Sequence, residues 1–150
     1  MSNRLTPLLT IMVNAAQKAG RALRRDFGEI ENLQVSRKGP ADFVTKADTK
    51  AEKILIEELQ KARPAYGFVN EESGVIEGSD ISNKWIIDPL DGTTNYVHGY
   101  PLVTVSIGLV VDRELAVGVI HNPLLDQTCT AARGAGTTYN GKPVRVAQAK

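Results

Sequence analysis

Two carboxylates three residues apart, Asp88 and Asp91, stand in the run Asp88-Pro89-Leu90-Asp91-Gly92-Thr93-Thr94, directly after the strand-like Lys84-Trp85-Ile86-Ile87. In an uninterrupted strand, residues three apart face opposite sides, so the two can share a ligand only if something breaks the strand between them. Pro89, which lacks an amide hydrogen, and the Asp91-Gly92 pair are the breakers. Turned together, the carboxylates suit a hard cation such as Mg²⁺, which takes oxygen ligands, and Leu90 can add its backbone carbonyl. Gly92 lets the backbone approach a ligand closely. Thr93 or Thr94 is expected to cap a short turn whose unpaired N–H groups would hold a phosphate beside the cation. The same heptad would also make an ordinary β-turn, where Asp-Gly is common, so the other acidic blocks of the chain decide between the two.

Two such blocks exist. Gly67-Phe68-Val69-Asn70-Glu71-Glu72-Ser73-Gly74 ends a strand on a carboxylate pair, and Ala41-Asp42-Phe43-Val44-Thr45-Lys46-Ala47-Asp48 leads into a helix. With Trp85-Ile86-Ile87-Asp88-Pro89-Leu90-Asp91-Gly92-Thr93-Thr94-Asn95, these three blocks resemble the inositol monophosphatase family in order and spacing, and its bacterial members most closely. Asn70 departs from that pattern, which has a small residue, usually glycine, before the acidic pair.

The resemblance implies an α+β chain of two N-terminal helices packed on an antiparallel sheet, the N-terminal half of a layered sugar-phosphatase fold. It implies that residues 1–150 are the N-terminal metal-binding part of such a domain, without the later carboxylate and alcohol-binding segment of the family pattern. It also implies a Mg²⁺-dependent, lithium-sensitive, cytoplasmic phosphomonoesterase, a homodimer at full length, that hydrolyses myo-inositol monophosphate to inositol and phosphate with metal-activated water. The ligands carried over are Glu71, Asp88, the Leu90 carbonyl and Asp91; Glu71 orients the water, and Thr93, hydrogen-bonded to Asp48, polarises it. Gly92 and Thr93 amides hold phosphate oxygens, and Glu71, Leu90 and Asp91 also border the substrate. Alternation turns Glu72 away from the metal, towards other protein groups. The same loop would fit a phosphatase for fructose 1,6-bisphosphate, histidinol phosphate or nucleotide 3′-phosphates, and the resemblance extends to regulatory proteins that bind the transcription machinery.

The elements that must position these groups have their own signals. Thr6 as cap, Pro7 in the first turn and Leu8, Met12, Ala15, Ala16, Ala19, Leu23 and Phe27 on one stripe describe a first helix, stopped by Gly28, with Lys18, Arg21 and Arg25 on a solvated face. A strand is expected around Leu33 to Ser36, then a loop through Arg37, Lys38, Gly39 and Pro40. Thr45, three residues before Asp48, opens a second helix that carries Ala51, Ile54, Leu55 and Leu59 and ends at Pro64. After the acidic loop, strands are expected over 103–111, 115–120, 128–132, 137–139 and 144–146, with Asn140-Gly141 a strong hairpin signal.

Composition excludes more than it selects. Eighteen Lys plus Arg against seventeen Asp plus Glu leave a formal charge of +1, which gives no global field for nucleic acid or an anionic membrane. The single cysteine rules out an intrachain disulfide and fits a reducing cytoplasm. Thr10, Asn14, Gln17 and Lys18 interrupt the apolar N-terminal segment, so it reads as a helix of a soluble protein and not as a membrane span. Gly134-Ala135-Gly136 lacks the third glycine and following helix of a dinucleotide fingerprint. Cys129 and Arg133 are too close for a cysteine-phosphatase loop, and Cys129 reads as a small buried hydrophobe. His98 and His121 lack metal-ligand spacing and read as hydrogen-bonded loop histidines, while Trp85 anchors the end of the sheet.

Overall fold

The structure, a computed structural model, describes residues 2–29 and 39–148; the strand expected around Leu33 to Ser36 and the Arg37-Lys38 part of the loop lie outside them. Two helices, α1 (Ser2–Phe27) and α2 (Gly39–Ala62), pack on one face of an eight-stranded sheet. Its strands are β1 (Tyr66–Asn70), β2 (Gly74–Ile76), β3 (Asp80–Asp91), β4 (Thr104–Val111), β5 (Glu114–Asn122), β6 (Gln127–Ala132), β7 (Gly136–Tyr139) and β8 (Lys142–Val144). A five-residue helix, α3 (Thr93–Val97), follows β3.

Both long helices begin earlier than their capping signals suggest. α1 continues through Pro7 to Ser2, because a proline near the free end removes a single rung, to the Asn3 carbonyl, and leaves the rest of the ladder intact. α2 starts at Gly39 instead of Thr45, since Pro40 is tolerated in a first turn and Asp42 there complements the helix dipole and pairs with Lys46 at 3.4 Å. Asp48 consequently lies inside α2, not at its mouth. Glu52, one turn further, shares its side of the helix. The apolar stripe of α1 behaves as its spacing requires: Met12, Ala15, Ala16, Ala19 and Leu23 are buried, and the alanines let α2 approach with Ala47, Ala51, Leu55 and Leu59. Beneath them lie Phe68, Trp85, Ile87, Val105, Ile107, Leu109, Val117 and Val119. Lys18, on the polar side of α1, reaches Glu58 of α2 at 2.6 Å.

The strand order is β2-β1-β3-β4-β5-β6-β7-β8. Every pair is antiparallel except β1 with β3, so the sheet is mixed and not antiparallel throughout. The cause is the route of the chain: β2 returns it to the start of β1, and residues 77–79 carry it to the other edge of β1, where β3 runs alongside. The expected strands after the acidic loop form within one or two residues of their predicted ends, except that β8 covers 142–144 and leaves Arg145 and Val146 outside it. The face of the sheet away from the helices is open.

Candidate metal and phosphate site

Parallel pairing of β1 and β3 makes both strands end at the same side of the sheet. Asn70 lies opposite Ile87, so the next residues, Glu71 and Asp88, meet beyond that rung. On the other side of β3, Asp88 pairs with Ser106 and Asp91 with Thr104: three steps along β3 match two along β4. That is a β-bulge, and its extra residue falls at Pro89-Leu90. Ser106 and Thr104, two apart, share a face, so the bulge brings Asp88 and Asp91 to one face, the open one. The strand is therefore not broken as its proline suggested; it runs on to Asp91 and changes phase. Leu90 anchors the bulge with a side chain only 2% exposed, and its N–H donates to the Asp88 carboxylate.

Four carboxyls surround this point without a basic partner among the described residues: Asp48, Glu71, Glu72 and Asp88. Burial raises Asp88 to about 7, helped by the hydrogen-bonded and charged Glu71 carboxyl. Burial likewise raises Asp48 to about 8, followed by its hydrogen bond to the Glu72 carboxyl and the charges of Glu72, Glu71 and Asp88. Asp48 Oδ1 and Asp88 Oδ1 are buried and accept no hydrogen bond. Crowded acidic oxygens with unused lone pairs are the donor set of a hard divalent cation, so Mg²⁺ fits the chemistry of these residues. Among the described residues, no three His, Cys, Asp or Glu side chains are grouped so as to hold a metal ion unaided. Glu71 and Asp88 are a hydrogen-bonded pair, whereas Asp91 is exposed and is not among the charges acting on Asp88. Any ligand set here would need further oxygens, such as water or a backbone carbonyl.

The loop after β3 turns on Gly92, which adopts φ 91° and caps α3; neither Thr93 nor Thr94 is the cap, and no side chain bonds there. The turn requires a left-handed residue, which glycine supplies. Thr93 becomes the first helical residue and lines a recess with Val44, Thr45, Asp48, Glu72, Thr94, Val97 and His98. Among the described residues no hydrogen bond joins Thr93 to Asp48; the Asp48 carboxyl pairs with Glu72, and its Oδ1 has no partner. A Cβ on Gly92 would lie 2.8 Å from the Leu102 carbonyl oxygen, which accepts a 2.8 Å hydrogen bond from Asn95 Nδ2. Gly92→Ala combines that clash with an unfavourable φ, and the expected result in thermal denaturation is a loss of about 2 kcal/mol, within the range for strained non-glycine backbone. A melting temperature unchanged by this substitution would mean that the loop relaxes freely.

Comparison with known proteins fits this geometry. The family model described as the inositol monophosphatase family matches residues 4–150. The chain belongs to the inositol monophosphatase family. A relative from Mesorhizobium japonicum named inositol-1-monophosphatase is 56% identical over 140 residues, 93% of this chain and 53% of that protein. One from Escherichia coli named Nus factor SuhB is 38% identical over 144 residues, 96% of this chain and 54% of that protein. Among solved structures, the extragenic suppressor protein suhB from Bartonella henselae superposes with a TM-score of 0.85 at 53% identity, covering 94% of this chain and 55% of the other. The inositol monophosphatase from Anabaena gives 0.82 at 36% identity, with 97% and 52% covered. The chain thus spans about half the length of the relatives it matches.

Within this inositol monophosphatase family member, two residues around the site, Glu52 and Tyr96, lie outside the sequence motifs, and Asn70 lies within one. Glu52, buried on α2, accepts the Glu72 N–H at 3.0 Å; its one sequence signal is the i, i+4 spacing from Asp48. Tyr96, fully buried, donates its hydroxyl to the Leu23 carbonyl at 2.8 Å and stacks on Phe27 at 5.4 Å, which pins α3 to the end of α1. Burial pushes its phenol well above the usual range, with the Asp26 charge adding to the effect. Asn70 is buried with neither amide atom bonded within the chain, a cost its neighbours do not offset. Glu72 faces Asp48 and not the Glu71–Asp88 pair, although the two glutamates lie in a turn just after β1 and not in the strand whose alternation suggested it. The histidines are occupied elsewhere: Nδ1 of His98 with the Thr94 carbonyl and Nδ1 of His121 with Thr128 Oγ1, both at 2.8 Å. Trp85, fully buried, packs on Tyr66 at 5.5 Å, and Cys129 is half-buried.

Proposed function

We propose that this chain carries the metal and phosphate half of a Mg²⁺-dependent phosphomonoesterase acting on an inositol monophosphate in the cytoplasm. The observation that carries the reading is the meeting of Glu71 with Asp88 at the ends of a parallel strand pair, with a bulge in β3 that puts Asp91 in phase with Asp88. Family membership supports it. Glu71, Asp88, Asp91 and the Leu90 carbonyl would hold Mg²⁺, which when bound supplies a water of lowered pKa and neutralises phosphate charge. Glu71 accepts a hydrogen bond from the attacking water and orients it. The Thr93 hydroxyl, in the same recess as Asp48, accepts a second one once Glu72 releases Asp48. The Gly92 and Thr93 N–H groups hold non-bridging phosphate oxygens in line with the attack. The water oxygen bonds to phosphorus, the ester P–O bond breaks, and the proton that the water gives up ends on the leaving alkoxide by way of solvent, so that inositol and hydrogen phosphate depart. No covalent phosphoenzyme is required.

Phosphate release from a panel of phosphomonoesters tests the reading: activity should need Mg²⁺, be partly restored by Mn²⁺, and be inhibited by Li⁺. Activity unaffected by exhaustive chelation would refute it. The second reading, a regulator of the transcription machinery, is favoured by relatives named Nus factor SuhB. The intact carboxylates rank it lower; a hydrolytically inert protein that captured RNA polymerase would reverse the order.

The raised carboxyls also set a pH dependence. Asp48 at about 8 and Asp88 at about 7 lie above their ordinary 3.8, so the metal-free fold binds more protons than the unfolded chain between those values. Its stability should fall as pH rises towards about 8, including from 6.5 upward, and level off above that, and Mg²⁺, which must displace the same protons, should bind more tightly over the same interval. His121 acts in the other direction, since burial lowers it and protonation destabilises the fold as pH drops below 6.5. Melting in EDTA and Mg²⁺ calorimetry at pH 6.5 and 8.5 check both signs; a metal-free protein more stable at pH 8.5 would contradict them.

A further inference from the structure

We propose that Glu52 is a positioning residue, which fixes the backbone at Glu72 and thereby aims Glu71 at the cation. The inference rests on the metal-site reading above. Glu52 is 4% exposed and pairs with no basic residue among those described, yet its Oε2 accepts the amide N–H of Glu72, twenty residues away, at 3.0 Å. Asp48, four residues earlier on the same side of α2, hydrogen-bonds the carboxyl of that same Glu72. The helix therefore grips one residue twice, by its amide and by its side chain. Glu72 belongs to the exposed turn 71–73 just after β1 ends, where the sheet ladder no longer restrains the backbone. Without the grip, the turn carrying Glu71 would be free to swing its carboxylate away from Asp88. A helix is rigid, and α2 is held by Ala51, Leu55 and Leu59 in the core, so the grip transmits the position of the scaffold to the ligand.

Hydrogen exchange and metal binding on the 150-residue protein test this. In the wild type, the Glu72 amide should exchange slowly for an exposed turn residue; a fast Glu72 amide overturns the proposal whatever the variants do. Glu52→Ala should speed that exchange at least about tenfold and weaken Mn²⁺ binding, read by the free-ion electron paramagnetic resonance signal, by about ten- to a hundredfold. Glu52→Gln keeps an acceptor oxygen but no charge, and should hold Mn²⁺ within about threefold of wild type. Equal losses in both variants would make Glu52 a source of negative potential and not a positioning group, and a Glu52→Ala protein binding Mn²⁺ as wild type would leave it only structural. A wild type that binds neither Mn²⁺ nor Mg²⁺ would instead refute the phosphatase reading and this inference with it.

Discussion

Asp88→Asn is expected to lower phosphate release by at least about a hundredfold while leaving the metal-free fold as stable as before or more so. The two effects have one cause. Asp88 Oδ1 is buried without a donor and its carboxyl faces Glu71, an arrangement that holds its proton up to about pH 7. In the absence of a cation, this is repulsion stored in the fold; asparagine keeps the shape, removes the charge and can donate to Glu71. In the presence of Mg²⁺ the same change removes a ligand charge from the centre of the donor set, and metal-site substitutions of this kind cost orders of magnitude in rate. A site evolved for binding is commonly less stable than its neutralised variant. The measurement pairs a rate assay with thermal melts in EDTA. Retained rate in Asp88→Asn would place the chemistry elsewhere, and a large fall in melting temperature would make Asp88 a structural residue. His121→Gln, remote from these carboxyls, should keep turnover within a few fold of wild type.

Sequence motifs mark the candidate ligands but not the device that brings them together. Asp88-Pro89-Leu90-Asp91 announces a departure from strand periodicity, and the residues on either side of it are legible as strand and turn, because proline, glycine and acidic spacing are local signals. Whether the chain breaks or bulges depends on β4, whose Ser106 and Thr104 set the register from fifteen or so residues away. The parallel pairing that brings Glu71 to Asp88 is less visible still: nothing in residues 77–79 states that the chain will pass to the far edge of β1. Helix stripes and the Asn140-Gly141 hairpin are legible since periodicity and positive-φ turns are encoded in a few neighbouring residues, and Asn140 and Gly141 do adopt φ of 46° and 81°. Helix starts are not, because a proline near a helix start is compatible with the helix continuing ahead of a capping residue. The Asp48–Glu72 pairing also lies beyond local signals, since it depends on α2 docking against the turn after β1.

The 150-residue chain alone is expected to self-associate and to hydrolyse phosphomonoesters feebly, holding one Mg²⁺ tightly through Glu71, Asp88 and the Leu90 carbonyl. The first half of this expectation follows from the open face of the sheet. There Ile86, Leu115 and Ile120 are 43%, 59% and 50% exposed, and they rim an apolar groove of about 540 Å³ floored by Gly108 and Gly118. Contiguous apolar surface of this kind, in a sheet whose two edges are the short strands β2 and β8, favours association in water. The second half follows from coordination, since Mg²⁺ demands near-octahedral oxygen geometry and Asp91, exposed and apart from the Glu71–Asp88 pair, is a weak second anchor. The relatives that the chain matches are about twice its length, so one of them is the reference for the assay. Sedimentation of the chain across a concentration series should show assemblies, and Ile86→Lys with Ile120→Lys should disperse them without changing the far-ultraviolet circular dichroism. Charges on the open face act against association and leave Trp85 and Ile87, on the helix side of the same strand, in place. A wild-type chain that stays monodisperse, binds two Mg²⁺ and turns over as fast as that relative would overturn both halves of the expectation.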